Sequence, residues 1–449
     1  MLRLHIMLNN RRRFVISAAM GAVFVLLAAG ANAGVPPPVT VHCVPNLSVN
    51  PTCTDYYPTI QAAVNAAGFG DTIYVGPGTY TESVTINTMA LSLLGAQAGN
   101  DARVDRHGPE SIVNGMGNPA FIVSASGVVI DGFTVTGGTA ANTYPGGILV
   151  GSTSTTPYFA QVLNNILEGN GTGVYLYQAN SPLVEHNLFR NNTAAAGAKA
   201  GIKWVGFGIA SDGVTYPVIN ENEFSGNKMA AIIVAGGSNS IITNNTSEND
   251  GSFVMYAATS YCLFSHNQGK NFGHKGVLPL VSTSVSTPFS VYADAAVDFG
   301  PGNSNLMISD NDLEEGEAPI GNGIAFTTVF ASTSLGSAPN SNVNLRNNKI
   351  KGFPENGIVA EEQSGGTLIG SWIGGNEVQE NGLDGILIGV NNHNISVFDN
   401  EAEGNHALDC EDDTTGGGTL GRADAWFNNI GNSSSPARLC TPGRGQYHD

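Results

Sequence analysis

Asparagine returns along this chain in one local setting: an apolar strand-like run, Asn, one residue, an apolar residue, a polar corner, then Gly-apolar-x-apolar. The positions are Asn165, Asn187, Asn222, Asn245, Asn267, Asn311, Asn348, Asn376, Asn400 and Asn428. Asn165 to Asn187 and Asn245 to Asn267 are both 22 residues apart, while Asn187 to Asn222 stretches to 35 and Asn311 to Asn348 to 37. Self-similarity of this kind marks a solenoid, whose repeats bury their apolar faces only against their neighbours. One unit has room for three short strands and three corners. A one-residue corner needs left-handed backbone, which Asn tolerates best after Gly. Stacked corner Asn side chains can then hydrogen-bond up the stack. The stretched intervals are read as loop insertions, and the gap from Asn267 to Asn311 is expected to hold one more rung.

Composition agrees with a coil of tight corners around a closed core. Of 449 residues 58 are Gly, and only 12% are charged. Alternation within each strand sends one apolar set inward. An α-solenoid is excluded, because no 3.6-residue period survives the Gly and Asn content. Ahead of the repeats, Ile60 to Ala67 has helical spacing and stops before Gly68, so a short amphipathic helix is expected there.

The first 33 residues read as an export signal. Arg11, Arg12 and Arg13 precede an apolar run from Phe14 to Gly30, and Ala31-Asn32-Ala33 supplies small residues for cleavage. Asn10 to Val15 fits either an ordinary secretory start or a twin-arginine signal. Residues 34–56 are expected to be a linker and disulfide segment, 57–405 the repeat body and 406–449 a closing segment. The expected location is periplasmic, cell-surface or secreted, with no membrane span in the mature chain and a monomeric state.

In an oxidising compartment cysteines pair. Cys43 with Cys53 and Cys410 with Cys440 are the expected local bridges, leaving Cys262 as a buried thiol between Tyr261 and Leu263. The net charge is −18, and loss of Arg3, Arg11, Arg12 and Arg13 with the signal makes it more negative. Such a surface repels phosphate backbones, so nucleic acid is a poor partner.

Thr59 to Ile86 resembles the N-terminal cap and first turns of the pectate-lyase-like parallel β-helix superfamily. Val129 to Val135, with the Asn rungs that follow, is similar to the repeats of carbohydrate-binding and sugar-hydrolase members. The resemblance implies an all-β fold, a single right-handed parallel β-helix forming a three-sided solenoid with a short capping helix. It also implies structural cysteines at the C-terminal end. Activity is left open, since such folds serve lyases, hydrolases, esterases, epimerases and adhesins. Neither the paired-Asp signature of polygalacturonase-like enzymes nor the Arg-centred signature of pectate lyases is present.

Aligning the Gly-apolar-x-apolar strands puts Glu361, Gly389 and Glu411 in one outward column. Two carboxylates two rungs apart, about 9–10 Å, with a Gly notch between, suit acid–base hydrolysis or a bridging cation. They equally suit solvated strand-face carboxylates. Asp409, Glu411, Asp412 and Asp413 are candidates for Ca²⁺, or for a charged cap over the open end of the coil. Tyr175 and Tyr177 are expected on the outer face as sugar-stacking groups. Lys199, Lys203 and Trp204, and Lys270, His274 and Lys275, are the main cationic spots. The expected function is binding of polysaccharide or a cell-surface glycan on a lateral face, with hydrolase or lyase processing if the face is catalytic. A non-catalytic adhesion or structural solenoid is the alternative. A metal-handling accessory role has no Met/His/Cys cluster suited to copper behind it.

Overall fold

The computed structural model describes residues 39–45, 53–104, 106–139, 146–193, 205–273, 295–315, 321–326, 338–360 and 367–443. The expected signal segment, Glu361, and the cationic spots at Lys199, Lys203, Trp204, His274 and Lys275 lie outside them.

Three long parallel sheets, with 15, 12 and 13 strands among the described residues, are named here A, B and C in the order the chain visits them. A typical turn runs through Gln161–Leu163 in A, Ile166–Glu168 in B and Thr172–Tyr177 in C, then returns to A at Leu183–Glu185. Within each sheet an interior strand pairs with its counterparts one turn before and after, so the described chain is a three-sided coil. Val41–Val44 already belongs to sheet A, pairing with Thr72–Val75. The coil continues past residue 405 to Ser434–Ser435 in sheet C.

The inward residues form one continuous core. Rings stack along it, as in Phe189 on Phe224 with centroids 4.8 Å apart and Phe299 on Phe326 at 4.3 Å. Offset aromatic pairs add to the burial of their area. The N-terminal end is closed by a helix, α1, Ile60–Ala66, which buries Ile60, Ala63 and Val64. Thr59 caps it, and the Glu82 carboxylate accepts the N–H groups of Ile60 and Gln61, both at 3.0 Å. A carboxylate there satisfies donors that the first turn leaves open.

The corner between A and B has two residues, which corrects the one-residue expectation. Left-handed backbone falls on the first, such as Asn164 (φ 52°), His186 (φ 56°) and Glu221 (φ 50°). The Asn that follows is buried and forms the ladder. Asn187 Nδ2 donates to Asn222 Oδ1 at 3.0 Å, Asn222 to Asn245 at 3.0 Å, and Asn245 to Asn267 at 3.1 Å. Asn267 donates directly to Asn311 at 3.0 Å, so no rung is hidden between them and the gap is an insertion. The final member is Asn429, not Asn428, which is the left-handed residue before it. A second ladder, at the B–C corner, links Asn170, Asn192, Asn227 and Asp250.

Disulfides join Cys43 to Cys53 and Cys410 to Cys440. Cys262 is buried, with its sulfur 3.3 Å from Thr259 Oγ1.

Candidate functional site

The outer face of sheet C, where the Gly-apolar-x-apolar strands lie, is apolar and closed over its earlier turns. Its middle column runs Leu149, Tyr175, Ala210, Ile233 and Met255 in register, and all five are buried. Tyr175 is 0% exposed and donates its hydroxyl to Asp212 at 3.2 Å. Tyr177 is partly buried against the same cluster. The Tyr175 ring is therefore not set out for an open sugar-binding face, which corrects the expectation for that residue. Alternation gave the direction of these side chains but not what lies over them.

The register of the last turn also differs from the sequence alignment. Glu411 pairs with Leu387, and Asp412 with Ile388. Glu411 and Gly389 therefore do not share a column. By continuation of that register Asp413 stacks on Gly389, and its N–H donates to Ile388 O at 2.9 Å. The two-place shift has a local cause. Gly385 donates its N–H to Leu408 O, and Ile386 donates to Asp409 O, so Asp409 holds the place that Gly marks in earlier turns.

Asp409 and Asp412 are tied into the chain rather than aimed at a shared ligand. Asp409 accepts from Asn405 Nδ2 at 3.0 Å, Asn432 N at 2.7 Å and Ser433 Oγ at 3.2 Å. Asp412 points inward and accepts from Trp426 Nε1 at 2.7 Å and Thr414 Oγ1 at 2.6 Å. Asp413 is exposed. Among the described residues no group of three or more His, Cys, Asp or Glu is placed to hold a metal ion. Glu411 remains half-buried. Burial, with the charges of Asp384 and Asp413 nearby, raises its pKa. Asp384 was not visible as a candidate, because it reads as an ordinary corner residue before Gly385.

Sheet B presents an open lateral face. A groove of about 380 Å³ crosses its turns, lined by Glu223, Thr246, Glu248, Gln268, Lys270, Asp312 and Glu314. These side chains stand in two outward columns. Glu223, Thr246, Gln268 and Asp312 stack in one, Ser225, Glu248, Lys270 and Glu314 in the other. The second column pairs its own charges, with Lys270 Nζ 3.3 Å from Glu248. Lys349 reaches Glu314 at 2.8 Å from the next turn.

Beside Glu223 lies a strap from the A-to-B crossing of an early turn. Arg106 donates to Asn164 O at 2.7 Å, and Ala102 N donates to His186 O at 3.2 Å. Arg103 ends the strap on Asp101 at 2.6 Å and Glu221 at 3.3 Å. The strap thus crosses successive turns and brings a guanidinium near Glu223. Burial raises the pKa of Glu223; Arg103 opposes this, and the charges of Glu248 and Asp101 add to it. A half-buried carboxyl that holds its proton more readily than a free glutamate is the chemically distinctive group of this face. Sequence reading missed it because its column carries no strand-initial Gly.

Comparison with known proteins bears on the fold. A family model described as periplasmic copper-binding protein (NosD) matches residues 70–272, and one described as right handed beta helix region matches residues 199–373. No curated protein matches the chain. Among solved structures, the catalytic unit of a GH87 α-1,3-glucanase from Streptomyces thermodiastaticus strain HF3-3 is 14% identical, with a TM-score of 0.52 over 90% of this chain and 71% of that one. An alginate lyase from Paenibacillus sp. str. FPU-7 is 13% identical, with a TM-score of 0.40 over 84% of this chain and 95% of that one. The A-module of the Azotobacter vinelandii mannuronan C-5 epimerase AlgE6 is 13% identical, with a TM-score of 0.48 over 84% and 93%.

Several residues of the types that ligate copper are already engaged by the fold. Copper favours convergent thiolate, thioether or imidazole donors. Within the matched region Cys262 is enclosed by the core, Met229 and Met255 are packed in the apolar cluster on sheet C, and His186 is engaged by Glu221 at 3.1 Å.

Proposed function

We propose that this right-handed parallel β-helix is an exported protein that binds polysaccharide along a lateral face, with the groove on sheet B as the binding site. The observation that carries this reading is the groove's lining: carboxylates, an amide and hydroxyls repeat at the turn spacing, about 4.8 Å. Each carboxylate or amide offers two polar atoms side by side, which suits the neighbouring hydroxyls of a sugar ring. A coil has no end wall along its axis, so a long chain can follow the turns. The α-1,3-glucanase unit, which shares the fold, supports a polysaccharide as the kind of ligand. Export is supported by the N-terminal signal pattern, the two disulfides and the periplasmic family whose model matches.

The test is a glycan array of the mature protein, followed by a reducing-sugar assay on whatever binds. Glu223→Gln and Lys270→Ala should each weaken binding to the captured glycan. Unchanged binding in both variants would remove the groove from the reading. Release of reducing ends that Glu223→Gln abolishes would add hydrolysis to binding, with Glu223 as the acid.

A structural or adhesive solenoid is the second reading. The pairing of charges along sheet B favours it. Arg190 meets Glu168 at 2.6 Å, as Lys270 meets Glu248, so part of this face satisfies itself without a ligand.

A further inference from the structure

The corner between sheets C and A carries a second, chemically different surface. The left-handed residue two places before each sheet A strand forms a column there: Phe159 (φ 58°), Ser181 (φ 52°), Tyr216 (φ 54°), Asn239 (φ 58°), Tyr261 (φ 57°) and Asn305 (φ 56°). Backbone hydrogen bonds link their turns in sequence, from Phe159 N to Asn180 O, Ser181 N to Thr215 O, Tyr216 N to Ser238 O, and Asn239 N to Ser260 O. The column therefore alternates ring, small polar, ring, small polar, ring. The three rings are 47%, 56% and 62% exposed. A bulky aromatic at positive φ is uncommon, because its Cβ is crowded there. Three in one column, at every second turn, are not what corner geometry selects.

Two neighbouring columns complete the surface. On one side stand Asn180, Thr215, Ser238, Ser260 and Ser304, joined by parallel bridges. On the other stand Leu183, Val218, Ile241, Leu263 and Met307, paired in sheet A. None of these side chains is acidic or basic, in a chain with 36 acidic and 18 basic residues. An uncharged strip in a strongly acidic protein suits an uncharged ligand. Its ring faces suit the C–H faces of sugars, and its hydroxyls suit sugar hydroxyls.

We infer that Phe159, Tyr216 and Tyr261 form a stacking ladder for a flat, uncharged, extended glycan whose every second sugar presents the same face. Two turns are about 10 Å. That is also the scale on which a ribbon-like pyranose chain repeats its orientation, so one ring meets one sugar face at each repeat. The strip lies at the corner opposite sheet B, and goes beyond the groove assigned above.

The test is calorimetric titration of the mature protein with cello-oligosaccharides of three, five and six sugars, and with maltohexaose and hexagalacturonate as curved and anionic counterparts. Affinity is expected to rise from three sugars to five, as the third ring is engaged, and to favour cellohexaose over both counterparts. Tyr216→Asn with Tyr261→Asn should weaken cellohexaose by about tenfold, the size of two lost stacking contacts. Asn is chosen because Asn239 and Asn305 already occupy this column at the same backbone angles, so the fold is retained; an unchanged thermal midpoint checks it. Leu383→Asn, at an exposed apolar residue on the corner between sheets B and C, should leave affinity unchanged. Absence of cellohexaose binding, equal binding of maltohexaose, or wild-type affinity in the double variant overturns the inference. Groove variants read out the other face, so either assignment can fail alone.

Discussion

Asp250 takes the place of an amide in the second ladder, accepting the backbone N–H of Asn227 at 2.6 Å and its side-chain N–H at 2.9 Å. Ser247 Oγ donates to its other oxygen at 2.6 Å. Every other member of this ladder from Asn170 onward is Asn. Full burial pushes the Asp250 pKa up to about 7, against the hydrogen bonds from Ser247 and Asn227, which lower it.

A pH dependence follows. In the unfolded chain an Asp ionises near pH 4. The native state holds this proton up to about pH 7 and so binds more protons than the unfolded state between those values. Stability from this site is fully present below about pH 4 and falls as pH rises to about 7. Asp250→Asn supplies a neutral amide that can donate to Ser247 Oγ. It should flatten that part of the pH profile and raise the thermal midpoint at pH 8. Parallel melting curves for the two proteins from pH 4 to 8 would contradict this.

The first ladder makes a sharper demand on stability. Asn222 donates to Val184 O, Asn220 O and Asn245 Oδ1, and its own Oδ1 accepts from Asn187 N and Nδ2. Asn222→Ala strands buried groups on both neighbouring turns. The expected loss is about 2–4 kcal/mol, since each unsatisfied buried partner costs about 1–3 kcal/mol. Denaturant unfolding with hydrogen exchange at residues 184–245 measures it. Loss confined to the surface turns, or below about 0.5 kcal/mol, would show that the ladder is replaceable.

The architecture was legible because the constraint repeats. One Asn setting, seen ten times, outweighs local ambiguity at any single turn, and even its corner error was only one residue. The candidate site was not legible, for two reasons. At the C-terminal end Asp409 replaces the Gly that marks a strand start, so Glu411 was aligned two places away from Leu387, its true partner. On sheet C, period-two alternation identified Tyr175 as outward-facing, but burial of an outward residue depends on chain from elsewhere. Tyr216 and Tyr261 were legible as residues. Their significance lies in stacking across insertions of unequal length, which interval counting blurs.

The C-terminal bridge should act locally. Cys410 lies in the sheet C strand Cys410–Asp412, whose outer neighbour is the two-residue strand Ser434–Ser435. An end turn has a neighbour on one side only and frays most readily. Cys410→Ser with Cys440→Ser should cost roughly 2–4 kcal/mol. Limited proteolysis should then cut first between residues 412 and 440. Cleavage that begins instead in the coil body would show that the bridge holds more than the end.

Calcium is the remaining expectation at this end, and the geometry sets a clear outcome. A cation site needs oxygens left over for the ion. Asp412 spends one oxygen on Thr414 N and Oγ1 and the other on Trp426 Nε1, all within 2.9 Å. Asp409 likewise accepts from Asn405, Asn432 and Ser433. These bonds hold the closing segment, with Trp426 packed into the core, against the last turns. Chelation should therefore leave the thermal midpoint of the wild type unchanged, and added Ca²⁺ should not raise it. Asp412→Ala should lower the midpoint with or without Ca²⁺, because it leaves the buried indole N–H without an acceptor, at a cost of about 1–3 kcal/mol. The decisive comparison is the calcium-dependent shift itself. A rise in the wild type that disappears in Asp412→Ala would mean that these carboxylates give up their internal donors to the ion, and the cluster would then be a cation site after all.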